Sequence, residues 1–146
     1  MAVKISWLYP ESIILAHYQG EVIPDDIKQQ YEEGLQMAEL SPREMVHIIA
    51  DCRDVTRFPK TLSAYNGTYG KKATNAGWIV LIGNNLFIRS FTSIISQVMK
   101  VQLAYRNSIS DAIKFIASLD KNVDMTKISD LQSYDNRHSQ TERMSV

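Results

Sequence analysis

The sequence predicts an α/β domain: an opening β-hairpin, then alternating strand–helix units forming a mixed, mostly parallel sheet with four helices. Three observations carry this. The first is a pair of apolar segments, Lys4–Tyr9 and Ser12–Tyr18, separated only by Pro10-Glu11, a hairpin pattern. The second is two short apolar runs, Met45–Cys52 and Gly77–Gly83, of the kind found in strands buried on both faces. The third is the alternation of those runs with helix-periodic stretches, which calls for right-handed crossovers between parallel strands.

Taken in order, Ile5, Trp7 and Tyr9 line one side of the first strand. Gly20 is expected to release the second. Pro24 suits the first position of a helix, and Asp25 and Asp26 suit its positive first turn. Ile27, Tyr31, Leu35 and Ala38 then recur at helical spacing until Ser41-Pro42. After Met45–Cys52 and a loop with Phe58-Pro59, Thr61 can cap a second helix carrying Leu62, Tyr65, Tyr69 and Ala73. Gly67 and Gly70 weaken that helix by roughly 1 kcal/mol each relative to alanine. A third helix is predicted from Leu86 to Lys100. Its apolar residues span about 140°, wider than the roughly 100° of an ordinary buried stripe. Val101, Leu103 and Tyr105 alternate with Gln102, Ala104 and Arg106 as an edge strand. Ser108 and Asp111 form a capping-box-like start to a last helix, buried through Ile109, Ala112, Ile113, Ile116 and Leu119. Residues 1–119 therefore read as one domain. Residues 120–146, polar and without periodicity, read as a flexible tail contributing little to the core.

Composition narrows the function classes. A chain of 146 residues buries roughly 70% of its unfolded surface and needs neither disulfide nor metal to fold. The single cysteine, Cys52, excludes an internal disulfide. With no apolar run long enough to span a bilayer, a cytoplasmic location is expected. Basic and acidic side chains balance at 16 each, which argues against a nucleic-acid partner. The balance is uneven along the chain. Residues 1–50 hold three cations against eight acids, and residues 51–100 hold seven cations against two acids.

This order resembles the STAS domain of bacterial anti-sigma-factor antagonists, and more closely the SpoIIAA-like proteins often grouped with the Sec14 fold. The resemblance rests on W-x-x-P-E-x-I-I-L at Trp7–Leu15, G-x-V-x-x-D-D at Gly20–Asp26 and H-I-I-A-D at His47–Asp51. G-W-I-V-L-I-G at Gly77–Gly83 and S-x-x-D-A-x-x-F-I at Ser108–Ile116 extend it over residues 3–119. It implies a regulatory or protein-interaction module rather than an enzyme. In the sporulation antagonists an Asp-Ser pair carries the phosphorylatable serine. Here the matching region reads Phe58-Pro59-Lys60-Thr61-Leu62-Ser63, so that pair is missing.

The candidate site follows from the strand ends. In open α/β sheets, ligands bind beyond the carboxyl ends of the strands. Asp51, Cys52, Arg53 and Asp54 are expected there, just past the end of a central strand. The expected ligand or partner contacts are Asp51, Arg53, Arg57, Phe58, Lys60, Thr61, Tyr65, Lys71 and Lys72. Their cations suit an acidic partner or an anionic headgroup. The alternative is a carrier of a small apolar or phosphate-bearing ligand, lipid-like or nucleotide, in the cleft near Asp51, Phe58 and Tyr65. No catalytic residues, metal ligands or cofactor are assigned. His47 and Cys52 should point to opposite faces of one strand, which argues against a Cys–His pair, and His17 could approach Cys52 only by chance of packing. The stretch Gly67–Lys72 lacks phosphate-loop spacing, and neither C-x-x-C nor H-E-x-x-H occurs. The wide arc of the third helix, with Ile88, Ile95 and Met99 at its margin, suggests a homodimer contact.

Overall fold

The opening hairpin forms as predicted, but its second strand runs past the expected stop. In a computed structural model, which describes residues 2–59, 73–83 and 102–128, β1 (Val3–Tyr9) pairs antiparallel with β2 (Ile13–Glu21). Gly20 does not end β2. It takes φ +67° inside the strand, where a residue without Cβ is unstrained, and pairs with Val55. Glu11 holds the connecting turn with φ 67°, and its carbonyl accepts a hydrogen bond from Ser41 Oγ at 2.6 Å.

Next come α1 (Pro24–Leu40), β3 (Val46–Arg57), β4 (Ala76–Ile82), β5 (Gln102–Arg106) and α2 (Ile109–Leu119), followed by a short 3-10 helix, Met125–Lys127. The five strands stand in chain order, β1-β2-β3-β4-β5. β2, β3, β4 and β5 run parallel, so the expected adjacency of the two buried apolar runs is present. Of the four expected helices, the first and last are α1 and α2. The second and third fall in 61–72 and 86–100, outside the described residues, as do Ile88, Ile95 and Met99. No described helix is long and apolar enough to cross a membrane.

Pro24, Asp25 and Asp26 open α1, with the Asp26 carboxylate accepting from the Ile23 N–H at 3.0 Å. Its most buried residues are Ile27, Gln30, Gly34 and Ala38, while Tyr31 and Leu35 are half-buried. The deep stripe is therefore turned from the purely apolar one. Gln30 turns inward because its side-chain oxygen accepts from Tyr18 Oη, on the face of the sheet that α1 covers. α1 covers Ile14, Ala16, Tyr18, Val46, Ala50 and Cys52 on one face of the sheet. On the other face α2 packs Ile109, Ala112, Ile113 and Ile116 against Ile13, Ile49, Val80 and Ile82. Each of those α2 isoleucines stabilises the fold by about 2 kcal/mol through burial. Ser108 caps α2 as its spacing predicts, accepting from the Asp111 N–H at 3.1 Å.

The domain does not stop at Leu119. Asp120 is 3% exposed and Val123 5%, and Met125 and Ile128 pack against the same core as α2. The boundary expected after Leu119 therefore falls too early, because one buried acid and one valine carry no periodicity to read. His47, fully buried, accepts the Trp78 N–H at Nδ1 (3.0 Å), so its proton sits on Nε2 and is donated to Asp120 Oδ2 at 2.8 Å. Asp120 Oδ1 accepts the Asn122 N–H at 2.9 Å. The imidazole thus ties β3 to β4 and to the end of α2. Gly77 makes room for it: a Cβ there would lie 2.5 Å from His47 Nδ1 and 2.7 Å from Cε1.

Candidate functional site at the carboxyl end of the sheet

Asp51, Cys52, Arg53 and Asp54 lie within β3 rather than past its end. The extension of β2 to Glu21 supplies the ladder partner that lets β3 continue to Arg57. Between the pairs His17↔Asp51 and Gln19↔Asp54, β3 contains one more residue than β2. Simple alternation would put Asp51 and Asp54, three apart, on opposite faces. The bulge restores them both to the face of His17. There Asp54 Oδ2 accepts from His17 Nε2 at 2.7 Å, with side chains 12% and 26% exposed.

Asp51 is buried, and Arg53 grips its carboxylate with a fork: Nε to Oδ1 at 2.9 Å and Nη2 to Oδ2 at 3.0 Å. The Arg53 backbone N–H adds a third bond to Oδ1 at 3.2 Å. Burial alone would push the Asp51 carboxyl up. The Arg53 bonds and charge outweigh it, holding the group below its ordinary value of 3.8. Cys52 faces the α1 side, buried, its thiol pushed up to about 12 by burial and by neighbouring Asp51. It is no thiolate at neutral pH. His47 and Cys52 do point to opposite faces, as the strand geometry requires.

The Asp51–Arg53 pair makes a pH-dependent contribution of known sign. A carboxyl whose folded value is depressed stabilises the fold above its unfolded value, and that contribution fades as pH falls through the folded value. Arg53→Met should therefore cost about 3 kcal/mol at neutral pH, because it strands a buried carboxylate. The penalty should shrink as the pH drops below 3.8, the ordinary value of the group. Urea midpoints of both proteins across acid pH measure this, and a pH-independent difference contradicts it.

His17 is a candidate that the sequence reading passed over. Asp54 fixes its tautomer with the proton on Nε2, and Nδ1 makes no hydrogen bond among the described residues. This is the base-and-orienter half of a catalytic arrangement. No described hydroxyl or thiol is bonded to the imidazole to serve as nucleophile. No group of three His, Cys, Asp or Glu side chains among the described residues can hold a metal ion. The only signal pointing to His17 is its register opposite Asp51, which depends on the parallel pairing of β2 with β3.

The other expected contacts divide. Arg57 is exposed at the end of β3, beside Glu21 in the ladder. Phe58 is half-buried, its ring edge-on to Tyr18 at 6.3 Å between centroids, and packs with the α1-side core. Lys60, Thr61, Tyr65, Lys71 and Lys72 lie outside the described residues. An apolar cavity of about 520 Å³ does exist, but at the opposite end of the parallel strands from the expected cleft. Tyr31, Leu35, Val46, Ile48, Ala76 and Trp78 are among its walls.

No family model matches the sequence, and no curated protein matches it. Among solved structures, the chain is similar to an uncharacterised protein of the DUF3478 family with a SpoIIAA-like fold from Shewanella loihica PV-4. The two are 13% identical with a TM-score of 0.53, over 78% of this chain and 91% of that one. The fold is SpoIIAA-like. At that identity the likeness is one of architecture, and it agrees with the resemblance read from the hairpin, the strand runs and the Ser108 cap. Within the SpoIIAA-like frame, the polar cluster His17–Asp51–Arg53–Asp54 lies level with the carboxyl end of β4, on the part of β2 and β3 that runs on past it, toward the side where open α/β sheets carry their sites.

Proposed function

We propose that this protein is a non-enzymatic regulatory or interaction module that meets its partner with the carboxyl end of the sheet. The observation that carries the reading is the pairing of the polar groups there. Asp51 is satisfied by Arg53, His17 is oriented by Asp54, and Cys52 is protonated and buried. Side chains so engaged supply no activated nucleophile. They do supply a rigid rim, with the free nitrogen of His17 and the exposed Arg57 presented for recognition. The sequence after Arg57 carries the cations Lys60, Lys71 and Lys72, so the partner proposed is acidic.

The experiment is affinity capture from the native host with the wild type and a variant carrying Arg57→Glu, Lys60→Glu, Lys71→Glu and Lys72→Glu. An acidic protein retained by the wild type, lost by a folded variant and released by salt supports the reading. Equal retention by both removes this surface.

A second reading, a small-ligand carrier, draws on the cavity of about 520 Å³ between α1 and the start of β3 and β4. Native mass spectrometry distinguishes it, since a carrier retains a small molecule and an interaction module does not.

A further inference from the structure

The buried side-chain polar atoms that go unsatisfied among the described residues all belong to segments that lead into the parallel strands, at the other end from the site above. Among the described residues, the buried side-chain nitrogen and oxygen atoms without a hydrogen bond are Ser12 Oγ, Arg43 Nε and Asn75 Oδ1. All three belong to the amino end of the parallel strands. Ser12 follows the β1–β2 turn, and Asn75 Nδ2 donates to the Arg43 carbonyl at 3.3 Å. Buried polar atoms are almost always paired, and of these three residues Arg43 lines a cavity from which a ligand could complete it.

That cavity, of about 410 Å³, lies between the β1–β2 turn and the 3-10 helix. Its walls join Leu8, Tyr9, Pro10 and Ile128 to Arg43, Lys127 and Glu11. The Arg43 side chain makes no hydrogen bond among the described residues, and its nearest acid, Glu11 Oε2, is 4.0 Å from Nε, beyond hydrogen-bond reach. Lys127, exposed, brings a second cation to the same walls. The walls carry two cations and one acid, with the exposed Asp124 beside Lys127 but outside the lining, and the remaining walls are Leu8, Tyr9, Pro10 and Ile128.

We propose that this cavity binds a small oxyanion carried on an apolar body, with Arg43 and Lys127 holding the anionic group and Leu8, Tyr9 and Ile128 the hydrocarbon part. A guanidinium with all its donors unspent suits two oxygens of a carboxylate or phosphate ester at once. Inorganic phosphate offers the charge without the apolar contact and should bind more weakly.

The test is an amide NMR titration of the full chain with phenyl phosphate, benzoate and inorganic phosphate in parallel. Saturable shifts at Tyr9–Ser12 and Thr126–Ile128 are expected with at least one aryl ligand, and its identity tells phosphate from carboxylate as the preferred group. Arg43→Met should weaken binding about tenfold or more, the loss of one charge-assisted contact. Lys127→Met, at an exposed position where folding is not at stake, should weaken it several-fold, and Glu11→Gln should strengthen it. The proposal is overturned if no aryl ligand gives saturable shifts, which would mean a cavity filled by water. It is equally overturned if inorganic phosphate binds as well as the aryl ligands, or if Lys127→Met and a folded Arg43→Met bind like the wild type. The outcome is independent of the partner surface, which lies at the other end of the strands.

Discussion

Gly77→Ala should destabilise the protein by about 3 kcal/mol, a large effect for the addition of one methyl group. The new carbon would sit 2.5 Å from His47 Nδ1, 2.7 Å from Cε1 and 3.1 Å from the Val46 carbonyl. The imidazole cannot retreat, because it is fully buried and bonded at both nitrogens. Either the ring moves and both bonds fail, or β3 and β4 part at Val46↔Ala76. Urea unfolding should show a lower midpoint with an unchanged slope. The control is the same substitution in a His47→Ala background. There the space left by the ring accepts the methyl group, so the added cost of Gly77→Ala should fall below about 1 kcal/mol. A cost that persists undiminished would show that the strain lies in the backbone and not in the ring.

Asp120→Ala should cost about 3 kcal/mol, because it leaves a buried hydrogen-bond donor without its acceptor and frees a second one. Its loss strands the buried His47 Nε2–H and frees the Asn122 N–H, which its other oxygen holds at 2.9 Å. Asp120→Asn keeps a carbonyl oxygen for one of these donors and should cost less than half as much. Thermal unfolding of the two variants provides the measurement. Equal losses would mean that the carboxylate charge and not its hydrogen bonding carries the contact.

The strands were legible because they are apolar runs bounded by turn residues, and the caps because Pro24 and Ser108 act on their nearest neighbours. What escaped reading depends on residues distant in sequence. His47 and Asp120 are 73 positions apart, and nothing local distinguishes this buried acid from those on the surface. Gly77 reads as a strand glycine, while its reason for being one belongs to a ring 30 positions earlier. At the candidate site the residue types Asp51, Arg53 and Asp54 were visible, but their placement was not. Parity along an extended strand separates Asp51 from Asp54, and only the extra residue in β3 unites them with His17. The strand ends failed for a related reason: β2 and β3 lengthen each other, and neither segment alone carries the apolar signal for it.

The strand order β1-β2-β3-β4-β5 also has a kinetic meaning. Each strand pairs with the one made just before it, so a ribosome-bound chain can add them one at a time without waiting for a distant segment. The clasp between His47 and Asp120 is different, for it closes only after α2 has emerged and docked. If the folding barrier is crossed before α2 docks, weakening that clasp speeds unfolding more than it slows folding.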